Sequence, residues 1–200
     1  LTGNGKGKTT SAMGMALRAA GHRLKVCIIQ FMKGDLYSGE WDGVKLLGDR
    51  VELHATGKGF CGIQGNPYPH SVHRENAQEA VQLVNQKMLS GDYDVVILDE
   101  INNALQLKLV DLDQVLAILD SKPPLLHLVL TGRDAHEEVL KRADTAMYQS
   151  KEEGRNRVHT ADNTADKVRR RSGEMRWVSP ITDAIRNDGF VLFGQIIKPV

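Results

Sequence analysis

Short apolar runs alternate along this chain with longer segments of helical periodicity. Three runs have the continuous apolar character of strands covered on both faces, namely Val26–Phe31, Tyr93–Glu100 and Leu125–Thr131. Apolar residues recur at helical spacing in three other segments, Thr9–Ala20, His73–Ser90 and Leu112–Leu119. Because strands alternate with helices, the pattern predicts an α/β fold with a parallel sheet and helices on both of its faces.

Residues at the ends of these segments support the same boundaries. Gly21 and Gly91 follow the first two helical segments, where a left-handed residue suits a helix end. Asp111 and Gln114 have the spacing of a capping box at the start of the third helix. The third helix should end before Pro123-Pro124, since proline cannot continue a helix.

The segment before the first helix has the composition of a phosphate-binding loop. Glycines let the backbone curl until several N–H groups converge on one anion, and the helix adds its positive N-terminal end. Lys8 can supply a full charge, and the Thr9 hydroxyl can reach a Mg²⁺ ion held by the phosphates. The pattern predicts a phosphate site formed by Gly3, Asn4, Gly5, Lys6, Gly7, Lys8, Thr9 and Thr10. A plain glycine turn is the alternative.

The start of the chain departs from the usual pattern of such a loop. Five places before Gly7 stands Thr2, where the common pattern has glycine. A phosphate loop should also follow a central strand, whereas the sequence begins at Leu1. We therefore expect the first strand of the fold to be truncated.

Two adjacent carboxylates, Asp99 and Glu100, end the second apolar run. Ligands of open α/β sheets lie at the carboxyl ends of the strands, where we also place the glycine loop. A carboxylate there can bind Mg²⁺ directly or through water, so Asp99, Glu100 and Thr9 are the candidate metal residues. In the alternative interpretation, Asp99 caps the following helix.

Composition narrows the class of protein. The chain has 200 residues, of which 41% are hydrophobic and 26% charged, as expected for one ordinary globular α/β domain. A net charge of +1 gives no general attraction to nucleic acid or membranes. Two cysteines are too few for a disulfide framework and lack zinc-site spacing, and we recognise no signal peptide or bilayer-length apolar stretch. We expect a cytoplasmic protein.

Three further residues allow two interpretations each. Trp41, beside Ser38-Gly-Glu40, either covers the predicted site or packs against the fold. His70 and His73 have the spacing of metal ligands on one helix face, but Pro69 and the polar context favour the protein surface.

Six blocks occur in the order found in the P-loop ATP:corrinoid adenosyltransferases: Thr2–Thr10, Leu17–His22, Val26–Gly34, Gly57–Gly65, Val96–Leu105 and Val129–Arg133. Residues 1–144 resemble that family closely. The resemblance implies a P-loop NTPase-like (RecA-like) α/β fold and a homodimer. It also implies an enzyme that transfers the 5′-deoxyadenosyl group of ATP to the Co(I) of a reduced corrinoid and releases triphosphate.

The resemblance also implies roles for individual residues. Lys6 and Lys8 would stabilise the leaving triphosphate together with Mg²⁺ near Thr9 and Glu100, so Lys8, Glu100 and Lys6 are the candidate catalytic residues. Arg18 and Arg133 would contact the nucleotide, and Phe60 would lie on the corrinoid side. ATP and the corrinoid are the implied substrates, and an electron-donor flavoprotein is an implied partner.

Residues 145–200 do not continue this resemblance. Glu138–Val158 resembles the last helix and strand of a GGDEF domain, and Gly173–Ser179 and Asp183–Val200 resemble the linker and first strand of an EAL domain. The motifs that name both domains are missing. We therefore expect a chimera with an irregular C-terminal extension. Two other functions stay open: an inactive nucleotide-binding fragment, and another P-loop kinase or NTPase.

Overall fold

A computed structural model of the protein describes residues 1–34, 37–59, 61–62 and 66–152, with side chains as far as residue 146. The strands are β1 (Val26–Gln30), β2 (Val51–Ala55), β3 (Val95–Asp99) and β4 (His127–Leu130). The α-helices are α1 (Lys8–Gly21), α2 (Glu40–Lys45), α3 (His70–Leu89), α4 (Ile101–Gln106), α5 (Leu112–Ser121) and α6 (Glu137–Glu152). The three predicted strands and three predicted helices are all present.

The four strands form one parallel sheet in the order β2-β1-β3-β4. Val26 of β1 pairs with Val51 on one side and with Val95 on the other. The central strands β1 and β3 are buried throughout, as a strand covered on both faces should be. The fold is therefore the predicted α/β class, with a parallel sheet consistent with a P-loop NTPase-like fold.

Alternate residues of β1 and β3 pack into two separate cores. Val26 and Ile28 face α1, whose small residues Ala12 and Ala16 let the helix approach the sheet closely. Cys27 and Ile29 face the opposite side, which α3, α4 and α5 cover. Helices therefore lie on both faces, because successive side chains of a strand point in opposite directions.

Strand β4 is more exposed than its apolar sequence predicts. Leu125 is 84% exposed, and none of the four residues of β4 is fully buried. The outer side of this strand borders the start of the chain, where the Leu1 amino group donates to Leu130 O at 2.7 Å and Gly132 N donates to Leu1 O at 3.2 Å. The phosphate loop thus begins beside the carboxyl end of β4.

The predicted capping box of α5 is confirmed, whereas the predicted surface position of His73 in α3 is wrong. Asp111 and Gln114 form the predicted capping box, with Asp111 N donating to Gln114 Oε1 at 3.0 Å. His73, which the polar context placed at the surface, is instead only 4% exposed and stacks edge-to-face with Tyr68. Helix α3 begins already at His70 and turns His73 toward the sheet together with Ala77 and Ala80. His70 itself is exposed, as expected.

In the part of the chain that the structure describes, we find no helix with both the length and the apolarity needed to span a bilayer.

Candidate functional site

The glycine loop leads directly into α1. Gly7 occupies the N-cap position with a left-handed backbone (φ 101°), and its carbonyl accepts the first helical hydrogen bond from Ser11 N at 2.7 Å. Within the described residues, the N–H groups of Gly5, Lys6 and Gly7 donate to no backbone carbonyl. Free N–H groups and the positive end of a 14-residue helix meet here, which is the arrangement that binds anions.

Lys8 is folded back over this loop. Its ammonium group donates to the carbonyl oxygens of Gly3 and Gly5, both at 2.6 Å. The two hydrogen bonds hold the positive charge close to the loop backbone, and Lys8 also lines the cavity beside the loop. An incoming phosphate can therefore meet the charge without a large movement of the lysine side chain.

The Asp99 carboxylate connects the start of α1 to the ends of the strands by hydrogen bonds. Its side chain is fully buried, and Oδ1 accepts hydrogen bonds from Thr9 Oγ1 at 3.1 Å and Thr131 Oγ1 at 2.7 Å. Oδ2 accepts from Gln30 Nε2 at 3.1 Å. The N-cap of α4 is Glu100, so Asp99 does not cap that helix. A buried carboxylate with three donors is well compensated, and here the donors come from three separate elements.

Glu100 lies at the turn between β3 and α4 in a left-handed conformation (φ 64°) that is unusual for a residue other than glycine. Its backbone N–H donates to Thr131 Oγ1 at 2.9 Å. Its Oε2 atom is buried and makes no hydrogen bond within the described part of the chain. Burial and the adjacent Asp99 raise the pKa of the Glu100 carboxyl group.

A cavity of about 200 Å³ lies between the loop and Glu100. It is lined by Gly5, Lys6, Gly7, Lys8, Thr9, Thr10, Glu100, Asn103, Thr131, Gly132 and Arg133. The orphaned Glu100 oxygen and the Thr9 hydroxyl are hard oxygen donors of the kind that Mg²⁺ prefers. The residues present therefore fit a magnesium-bound polyphosphate.

The remaining candidate residues lie in different places. Asn4 is exposed and outside the cavity lining, while Gly3 contributes its carbonyl to Lys8. Arg18 is exposed on α1, ten residues beyond Lys8, which is roughly 15 Å along the helix axis. Phe60 lies outside the described residues.

Sequence reasoning missed two residues of this site, Gln30 and Thr131. Gln30 is the last residue of β1, Thr131 directly follows β4, and both hydrogen-bond to Asp99. The signal was available, because Gln30, Asp99 and Thr131 follow apolar runs whose carboxyl ends meet at one edge of a parallel sheet. Asn103 was missed as well; its Oδ1 atom accepts from Arg133 N at 3.0 Å and orders the turn after β4.

A second polar cluster lies away from the loop. The metal-ligating atoms of Cys27, Glu52 and His54 lie within 4.8 Å of one another. The Glu52 carboxylate already accepts hydrogen bonds from Lys87 Nζ at 2.8 Å and from the Tyr93 hydroxyl group. Burial, followed by the Glu52 charge, raises the pKa of the Cys27 thiol to about 12, so the thiol stays protonated at neutral pH. These contacts favour a structural polar cluster over a cation site.

The amino-acid sequence of the chain is similar to those of known proteins. The model of the family described as ATP:corrinoid adenosyltransferase BtuR/CobO/CobP matches residues 1–162. A corrinoid adenosyltransferase of Pseudomonas aeruginosa is 36% identical over 149 residues, which cover 74% of this chain and 72% of that protein. One from Escherichia coli K12 is 35% identical over 145 residues, which cover 72% of this chain and 71% of that protein. Corrinoid adenosyltransferase CobA of Salmonella typhimurium is 34% identical over 149 residues, which cover 72% of this chain and 71% of that protein.

The family match continues past residue 144, at which the sequence predicted a boundary, and ends at residue 162. Helix α6 also continues across that position. The EAL-like segments lie outside the described residues, and the GGDEF-like segment Glu138–Val158 extends beyond them after residue 152. Both resemblances stay predictions.

Proposed function

Because the chain belongs to the ATP:corrinoid adenosyltransferase family, we propose that it transfers the 5′-deoxyadenosyl group of ATP to the Co(I) centre of a reduced corrinoid and releases triphosphate. One observation of the fold carries the proposal: the Lys8-bearing glycine loop faces the Glu100 carboxylate across a cavity. Such a site suits a leaving group with several negative charges.

The reaction is a substitution at the ribose C5′ carbon. The Co(I) electron pair forms the Co–C bond, and the C5′–O bond breaks with its electrons on the departing triphosphate. No side chain has to act as the nucleophile. The N–H groups of Gly5 to Gly7, with the Lys6 and Lys8 ammonium groups, would stabilise the negative charge that grows on the triphosphate oxygens.

Magnesium would add further charge stabilisation between the loop and the strand ends. Thr9 and Glu100 are the proposed ligands, since both line the cavity with oxygen atoms. Asp99 would act on the metal through its hydrogen bond to Thr9, because its own oxygens are occupied by three donors. The bound ion would supply Lewis-acid polarisation of the phosphate oxygens.

The roles of three more residues remain proposals of the same kind. Arg133 would bind the nucleotide, and its place in the cavity lining supports this role. Arg18 would also contact nucleotide, although its position far along α1 removes it from the loop of the same chain. Phe60 would contact the corrinoid.

We further propose a cytoplasmic homodimer that receives its reduced corrinoid with the help of an electron-donor flavoprotein. Complete cobalamin and an earlier cobyrinate-like precursor are both candidate acceptors. Residues 145–200 are proposed to form a separate extension that carries no cyclic-di-GMP chemistry.

A single-turnover experiment tests the proposal. ATP, Mg²⁺ and the full chain are mixed with reduced cobalamin under anaerobic conditions. Formation of the Co–C bond changes the visible spectrum, and the phosphorus product should be triphosphate. Release of ADP would instead support a kinase or NTPase, and binding of ATP without any product would support a nucleotide-binding fragment.

A further inference from the structure

The side chain of Gln30 connects the predicted metal site to a neighbouring segment. It is fully buried at the end of β1, between Asp99 and the start of α2. Its Nε2 atom donates to Asp99 Oδ2 at 3.1 Å and to Glu40 Oε1 at 3.3 Å. Its Oε1 atom accepts from Trp41 Nε1 at 2.9 Å. All of the polar groups of the amide are therefore in use.

Trp41 dictates the orientation of this amide. An indole N–H can only donate, so the amide oxygen has to face Trp41. The amide nitrogen then has to face the two carboxylates, which can only accept when ionised. The three neighbours agree on one orientation, and the opposite orientation would place the amide oxygen against two negative charges.

Glu40 is itself held in place. Burial alone would raise the pKa of Glu40, but hydrogen bonds from Lys33 and Ser38 outweigh burial and lower it to about 2. Glu40 is therefore a carboxylate at neutral pH and keeps accepting from Gln30. Trp41, Glu40 and Gln30 are not among the residues that line the described cavity, so this network reaches Asp99 from outside the cavity.

The backbone of Gln30 has a second attachment. Its carbonyl oxygen accepts from both the N–H and the hydroxyl group of Thr56, each at 3.1 Å, and Gly57 N donates to Lys33 O at 2.9 Å. The end of β1 is thus fixed to the chain that leaves β2. A rigid backbone at Gln30 leaves the amide little freedom other than rotation about its own side-chain bonds.

We infer that Gln30 is a positioning residue for the magnesium–triphosphate half of the site, and that Trp41, from outside the cavity, sets its orientation. By donating to Asp99 Oδ2, Gln30 leaves Oδ1 to accept from the hydroxyl groups of Thr9 and Thr131. The Thr9 side chain, which would bind the metal, is thereby held at the cavity. Groups behind a metal ligand tune affinity in this way, typically by about tenfold or more. The inference rests on the function proposed above.

The test measures binding rather than turnover. Isothermal titration calorimetry of the full chain gives the affinity for ATP and for inorganic tripolyphosphate, each with and without Mg²⁺. Gln30→Met keeps the side-chain length but cannot donate, and we expect about tenfold weaker binding only when Mg²⁺ is present. Trp41→Phe keeps an aromatic ring but loses the N–H, and we expect a threefold to tenfold loss that is again specific to Mg²⁺.

A double variant and a matched control make the result specific. If Trp41 acts through Gln30, Trp41→Phe has no further effect in the Gln30→Met background. Tyr37→Phe is the control, because Tyr37 packs against Trp41 but hydrogen-bonds to Asp42 instead of Gln30. We expect it to bind like the wild type.

Different outcomes separate the two proposals. Wild-type-like binding by Trp41→Phe, or equal losses with and without Mg²⁺, would overturn the positioning role while leaving the proposed function intact. Additive effects in the double variant would do the same. If the wild type binds neither ATP nor tripolyphosphate, the proposed function fails and this inference fails with it.

Discussion

At the scale of single residues, Asp99 organises the site. Asp99 accepts hydrogen bonds from Thr9 in α1, Gln30 in β1 and Thr131 directly after β4, so a single buried carboxylate aligns three parts of the fold. Glu100, the next residue, lines the cavity and keeps a buried oxygen that has no hydrogen-bond partner among the described residues. The two adjacent carboxylates therefore have different tasks, the first in alignment and the second in ligand binding.

Lys8→Ala should remove most of the affinity for polyphosphate. The variant loses a charged donor held at the loop by two carbonyl oxygens. A charge-assisted hydrogen bond contributes about 1.5–3 kcal/mol, so we expect about 10-fold to 100-fold weaker binding of tripolyphosphate by calorimetry. Lys45→Ala, an exposed change on α2, is the control and should bind normally. Unchanged affinity for tripolyphosphate in Lys8→Ala would show that the glycine loop is not the binding site.

Two glycine substitutions should shift stability in opposite directions. Gly132 has φ 136°, and a Cβ atom there would approach Asn102 Cβ and Asn103 Oδ1 to 2.7 Å, so Gly132→Ala should lower the free energy of unfolding by about 1–3 kcal/mol. Gly14 lies on the exposed face of α1 with open space around it. Gly14→Ala should therefore raise the free energy of unfolding by about 0.5–1 kcal/mol. Urea denaturation measures both, and the same sign for both variants would contradict this reasoning.

At the scale of elements, an ionic contact ties the edge strand β2 to α3. Burial alone would raise the pKa of Glu52 in β2, but hydrogen bonds from Lys87 and Tyr93 outweigh burial and lower it to about 2. The same contact raises the pKa of Lys87. Strand β2 has only one strand neighbour within the described sheet, and this contact gives it a second attachment.

The contact predicts a pH dependence of stability. The pKa of Glu52 is lower in the folded state than its ordinary value of 4.5, so its stabilisation is complete above about pH 4.5 and is lost as the pH falls toward 2. Glu52→Gln should therefore unfold at lower urea than the wild type at pH 7, and the difference should shrink at pH 3. In a Lys87→Met background the difference at pH 7 should be smaller. A gap that is the same at both pH values would contradict the assigned pKa.

At the scale of the whole molecule, the site is assembled from distant parts of the chain. The loop before α1, the turn after β3 and the turn after β4 meet at one edge of the sheet, around a single cavity. An unfolded chain cannot bring these segments together. Ligand binding should therefore be coupled to the folding of the described domain.

This coupling predicts a thermal shift. A ligand that binds only the folded state, at 100 times its Kd, adds about 2.7 kcal/mol of stability, which raises the Tm of a chain of this size by roughly 5–10 °C. Scanning calorimetry with Mg²⁺ and ATP, or with Mg²⁺ and tripolyphosphate, should show the shift. AMP lacks the leaving group and should give little. A full shift in Lys8→Ala would place the ligand somewhere other than the loop.

The parts of the fold that were predictable have strong local signals. The strands β1 and β3 are continuous apolar runs, and α1, α3 and α5 have helical periodicity. Strand β2 was not predicted, because Val51–Ala55 mixes apolar residues with Glu52 and His54, and only Val51 is fully buried. The two six-residue helices α2 and α4 were also missed, since they are too short for a clear period.

The amino-acid sequence by itself determined the chemistry of the loop. Glycine spacing, Lys8 and Thr9 are contiguous, and their backbone conformation follows from local rules alone. Only the tertiary structure decided which distant side chains complete the site. Gln30, Asp99 and Thr131 lie far apart along the chain and meet because parallel strands end at the same edge of the sheet. His73 shares the helical spacing of Ala77 and Ala80, but only the packing of α3 against the sheet decided that its imidazole is buried.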